Sequence, residues 1–84
     1  MPYISQDDRV ALDPLIDALS AELTDASVGE FNYVITRLLK ARFKPESYYV
    51  LNAGYGAVLA AAAEFYRTVV APYEDGKREK NGDV

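Results

Sequence analysis

Apolar residues recur along this chain with helical spacing, in three blocks separated by turn signals. Leu12, Leu15, Ile16, Leu19 and Leu23 form the first block, and such spacing lines one face of a helix. Phe31, Val34, Ile35, Leu38, Leu39 and Phe43 form the second, a stripe suited to a core-facing helix. The third contains Leu51, Tyr55, Val58, Leu59, Ala62, Phe65, Tyr66 and Val69. The fold class predicted is all-α: a three-helix up-down-up bundle in a single domain over 1–84, with helices at about 5–24, 28–43 and 48–71.

The residues between the blocks support these limits. Ser5 to Asp8 reads Ser-x-x-Asp, a helix-start signal. Asp13-Pro14 follows, with Asp13 as an N-cap and proline suited to a first turn, so a short helical turn leads into a helix from Pro14. Ser27-Val28-Gly29-Glu30 is a capping box for the second helix. Lys44-Pro45-Glu46-Ser47 stops that helix, and Ser47 caps the third. Gly54 and Gly56 cost helix stability. They either kink the start of the third helix or, with Ala53, Ala57, Ala60, Ala61 and Ala63, leave a smooth surface for close approach. Pro72 ends or kinks this helix, and the tail 72–84 is short and helical or irregular. Asn81-Gly82 is a stop, and Asp83 and Val84 are expected to fray.

Composition sharpens this picture. A domain of 84 residues buries a small fraction of its surface and is often completed by disulfides, metal or oligomerisation. With no Cys there is no disulfide, and with no His or Cys a zinc site lacks its preferred ligands. Oligomerisation remains, and the third helix is short of charge between Leu51 and Ala63. It is expected to pack on its own chain on one side and on another subunit on the other. The N-terminal residues Met1 to Asp8 show no basic region followed by an apolar run, and Ala57 to Ala63 is too short to span a bilayer. A cytoplasmic protein without membrane association is expected.

The net charge is −4 and is unevenly spread. Asp7, Asp8, Asp13, Asp17, Glu22, Asp25 and Glu30 face only Arg9 in the first third, whereas Arg37, Lys40, Arg42, Lys44 and Arg67 dominate residues 31–70. Such runs mark solvated faces, or here a phosphate-attracting patch on the second helix. Nucleic acid is disfavoured as a partner, because the chain lacks the basic footprint of counterion release.

The chain offers little for catalysis. A Ser or Thr nucleophile lacks a His base, and no Walker loop or dinucleotide fingerprint occurs. Glu64, Glu74 and Asp75 are the remaining acid–base or Mg²⁺ candidates, against a reading in which Glu74 and Asp75 complement a helix dipole. The expectation is a protein that is not an enzyme and uses no cofactor. Tyrosine is the informative residue, with seven against three Phe and no Trp. One by one they read as rim residues with wetted hydroxyls. In an up-down-up bundle, however, the start of helix two approaches the end of helix three. That would gather Asn32, Tyr33, Thr36 and Arg37 with Glu64, Tyr66, Arg67, Tyr73, Glu74 and Asp75 as a candidate ligand site. Aromatic faces beside guanidinium and amide groups suit a nucleobase and a phosphate. Tyr48, Tyr49, Asn52 and Arg42 form a thinner set at the other end.

The segments Met1-Pro2-Tyr3-Ile4, Phe31-Asn32-Tyr33-Val34-Ile35-Thr36, Glu64-Phe65-Tyr66-Arg67, Val69-Val70-Ala71-Pro72-Tyr73-Glu74-Asp75 and Asn81-Gly82-Asp83-Val84 carry a resemblance. Through them the chain resembles, over nearly its whole length, a family of small uncharacterised proteins found largely in bacteriophage and bacterial genomes. Phe31 stands where that family usually has Leu, and Ala60 to Ala63 stand where it has more polar residues. The resemblance implies no established activity, but it does imply a phage setting. There the expected role is a homo-oligomeric binding protein that sequesters a small phosphate-bearing ligand such as a cyclic nucleotide immune signal. The alternative is an interaction module that inhibits or regulates a host protein.

Overall fold

A computed structural model describes residues 3–83; Met1, Pro2 and Val84, and with them the expected fraying of Val84, lie outside the described residues. All regular structure among the described residues is helical, with no strand. The chain divides into two units, Met1–Arg42 and Phe43–Val84.

The first unit opens with a 3-10 turn, Asp7–Arg9, and continues into α1, Leu12–Glu22, and α2, Val28–Arg42. The Asp8 N–H donates to Ser5 Oγ at 3.4 Å, as the Ser-x-x-Asp signal predicts. The Asp13 cap is corrected. Helix α1 starts at Leu12 with Ala11 before it, and Asp13 and Pro14 both sit inside its first turn. Proline is tolerated there because the first four N–H groups of a helix have no carbonyl to meet. The capping box of α2 closes in both directions. The Glu30 N–H donates to Ser27 Oγ at 3.1 Å, and the Ser27 N–H donates to Glu30 Oε1 at 2.9 Å.

The second unit is one helical path. Ser47 caps α3, Tyr48–Phe65, accepting from the Val50 N–H at 3.3 Å. A π-helical turn, Tyr66–Val70, then leads into α4, Ala71–Asn81. Phe65, Tyr66, Val70 and Ala71 all keep right-handed helical dihedrals, so no break separates α3 from α4. The π turn answers Pro72, the second residue of α4. An α-helix would bring the proline ring against the carbonyl four residues back, at Thr68. Instead the Ala71 N–H reaches the Tyr66 carbonyl, five residues back, and the wider turn absorbs the proline. Of the alternatives for the tail, the helical one holds. It ends at Gly82, with φ 85°, whose N–H bonds the Arg78 carbonyl at 2.8 Å.

Burial departs from the expectation of cores. No hydrophobic side chain is buried among the described residues, and Leu15, Phe31 and Leu38 are more than half exposed. Val34, Ile35 and Leu39 of α2 are only half-buried. Periodicity identifies the apolar face of a helix, but it does not supply the surface that covers that face. Gly54 is the one buried residue among those described.

Candidate functional site

The predicted ligand residues fall in both units, and each group is described on its own. Asn32, Tyr33, Thr36 and Arg37 occupy adjoining rows of α2 and are all exposed. Residues four apart on a helix are neighbours, and Tyr33 and Arg37 exploit this. Arg37 Nη1 donates to Tyr33 Oη at 2.7 Å, and the guanidinium lies 5.6 Å from the ring centroid. The pair thus sets a cation beside an aromatic ring on an exposed surface. Asn32 and Thr36 stand beside it as amide and hydroxyl donors.

In the second unit, Glu64 ends the charge-free part of α3, and Tyr66 and Arg67 lie in the π turn. Arg67 Nη2 donates to Glu64 Oε1 at 2.6 Å, three residues back. An incoming anion would therefore share the guanidinium with this carboxylate or displace it. Thr68 Oγ1 donates to the Glu64 carbonyl at 2.8 Å, which helps to satisfy the backbone where the helix widens.

Tyr73, Glu74 and Asp75 are exposed on α4. The dipole reading of these acids is corrected, because α4 follows the π turn without a free N-terminus to complement. Asp75 instead pairs with Arg78 at 3.2 Å, and Arg78 also lies 3.9 Å from Asp83. Lys77 Nζ sits 5.5 Å from the Tyr73 ring centroid. Lys77 and Arg78 were missed in the sequence, although their i,i+4 and i,i+3 spacing from Tyr73 and Asp75 was there to be read. No group of three or more His, Cys, Asp or Glu residues among those described is placed to hold a metal ion. No helix of the described residues is long and apolar enough to cross a membrane.

At the start of α3, Tyr48, Leu51, Asn52 and Tyr55 line an open hollow of about 330 Å³. It takes in Tyr48 and Asn52 of the second, thinner set.

The fold and these surfaces define an all-helical protein that displays paired aromatic and cationic side chains. The chain belongs to the family described as domain of unknown function (DUF6899), whose model matches residues 1–84. No curated protein and no solved structure matches it.

Proposed function

We propose that this chain is a non-enzymatic, homo-oligomeric binding protein that sequesters a small phosphate-bearing ligand such as a cyclic nucleotide signal. In this reading it is encoded by a phage and acts in the host cytoplasm. Its helices form a three-helix up-down-up bundle completed by other subunits. The observation that carries the reading is the Tyr33–Arg37 pair, with its 2.7 Å hydrogen bond and its exposed ring and guanidinium. Such a pair offers a stacking surface for a base and a fork of donors for a phosphate. Tyr66, Arg67 and Tyr73 supply the same chemistry from the second unit, with Asn32 and Thr36 as polar readers and Glu64, Glu74 and Asp75 at the margin.

Arg37→Ala and Arg67→Ala, titrated with cyclic and linear nucleotides, test this reading. Each variant should weaken binding at least tenfold while leaving the oligomer intact, and wild-type binding should weaken with added salt. Unchanged affinity in both variants would remove these residues from the site. A second reading, an interaction module for a host protein, is favoured by the exposed apolar residues Leu15 and Ile16 of α1.

A further inference from the structure

The chain has three asparagines, Asn32, Asn52 and Asn81. Asn32 and Asn52 lie inside α2 and α3 and precede Tyr33 and Ala53. Asn81 is the last residue of α4, is exposed, and has glycine after it. Asparagine is among the thermolabile residues, because the backbone nitrogen of the next residue can attack the side-chain amide carbon and close a five-membered imide. Glycine in that place has no side chain to obstruct the closure and a backbone free to bend into it. A Cβ built on Gly82 would meet nothing within 4 Å, so no neighbour crowds the approach.

One contact stands against the reaction. The Gly82 N–H donates to the Arg78 carbonyl at 2.8 Å, which engages the nitrogen that would attack. Asn81 is itself helical, and ring closure requires the chain there to leave that conformation. Both restraints belong to the last turn of α4, and helix ends open at little free-energy cost. The ion pairs of Arg78, at 3.2 Å to Asp75 and 3.9 Å to Asp83, join exposed side chains and add little to that cost. Asp75-Gly76, the other pair able to form such an imide, lies within α4, with helix on both sides.

We propose that Asn81 is a modification site, converted by water to a mixture of isoaspartate and aspartate through a cyclic imide with Gly82, and that the Gly82–Arg78 hydrogen bond gates the conversion. When the last turn opens, solvent base removes the Gly82 N–H proton and the nitrogen attacks Asn81 Cγ. The N–Cγ bond forms, the Cγ–Nδ2 bond breaks, and Nδ2 leaves as ammonia with a proton from solvent. Water then adds to one of the two imide carbonyls. Addition at Cγ restores the ordinary main chain with a carboxylate on the side chain. Addition at the main-chain carbonyl leaves the carboxylate there and carries the chain through Cβ and Cγ. Ammonia leaves, water enters, and nothing is oxidised or reduced. Either product makes the net charge of −4 more negative, at the carbonyl end of α4, where the helix dipole disfavours an anion. The mark is therefore one that accumulates with age and loosens the end of α4.

The test is incubation of the full chain at mildly alkaline pH in water enriched in a heavy oxygen isotope, followed by digestion and mass spectrometry. Asn81 should convert severalfold faster than Asn32 and Asn52, take up solvent oxygen, and give isoaspartate as well as aspartate. Glu79→Pro should raise the ratio of Asn81 to Asn32 conversion severalfold. Proline pushes the residue before it out of the helical region, which here withdraws the Arg78 carbonyl from Gly82. Gly82→Val should slow conversion at Asn81 severalfold, although the turn at φ 85° is disturbed, because a branched side chain obstructs the attacking nitrogen. Conversion at Asn81 no faster than at Asn32, or aspartate without isoaspartate, would overturn the site. An unchanged ratio in Glu79→Pro would overturn the gate.

Discussion

The Phe43 ring lies over Gly54. A Cβ built on Gly54 would stand 2.8 Å from Phe43 Cγ and 3.2 Å from its Cβ. Those atoms are at the root of the side chain and cannot swing away, so the glycine is what lets the Phe43 ring seat against α3. Gly76, in α4, has open space where its Cβ would be. The two sites therefore respond in opposite directions to alanine. Gly76→Ala should stabilise by up to about 1 kcal/mol through helix propensity alone. Gly54→Ala should destabilise despite that same gain, because Phe43 must leave its seat. Urea midpoints of the two variants, compared with wild type, check both signs.

The Ser27–Glu30 box makes a pH prediction. The Ser27 backbone N–H, and after it the Ser27 hydroxyl, hold the Glu30 carboxyl below its ordinary value of 4.5. A carboxyl depressed in the folded state adds stability that is fully present above its unfolded pKa and is lost as pH falls through the folded one. Wild type should therefore be more stable than Glu30→Gln at neutral pH, and the difference should close below about pH 4. Ser27→Ala removes the cap itself and should cost about 1 kcal/mol at any pH. A constant gap between wild type and Glu30→Gln across the titration would contradict the box as its source.

Pro72 and the π turn make a third. Replacing Pro72 with Ala supplies an N–H that can reach the Thr68 carbonyl and lets Tyr66–Val70 relax to an α-helix. The helix should gain between about 1 and 3 kcal/mol, seen as a higher melting temperature by circular dichroism. One residue of phase is about 100° around the axis, so the direction of Tyr66 and Arg67 relative to Tyr73 would change by about that angle. On the proposed function, the more stable variant binds its ligand more weakly.

Arg67 already has a partner in Glu64, and this separates its fold role from its site role. The pair is exposed on the arginine side, where such bridges contribute ~0.2–1 kcal/mol. Arg67→Ala should accordingly leave the melting temperature nearly unchanged. A large loss of stability would make Arg67 structural and take it out of the candidate site.

Features set by neighbours in the chain were legible in the sequence. The Ser27–Glu30 box, the Ser47 cap and the Gly82 stop each depend on side chains or backbone within four residues. The seat of Phe43 on Gly54 was not legible, because it crosses a turn and depends on the direction in which the chain returns. Pro72 announced a disturbance, yet a break, a kink and a π turn are alternatives that only the backbone hydrogen bonds distinguish. The three apolar stripes were read as core, whereas the described residues leave them largely uncovered. The candidate site was legible as a list of chemistry-bearing residues. Their local pairing, Tyr33 with Arg37 and Glu64 with Arg67, follows from helical spacing.

The central claim is capture of a phosphate-bearing small molecule, and isothermal titration of the wild-type chain with a panel of cyclic and linear nucleotides tests it most directly. Saturable binding of at least one member, with a fixed stoichiometry per chain and an affinity that falls with salt, is the predicted result. A folded oligomer that takes up no heat from any of them would contradict it.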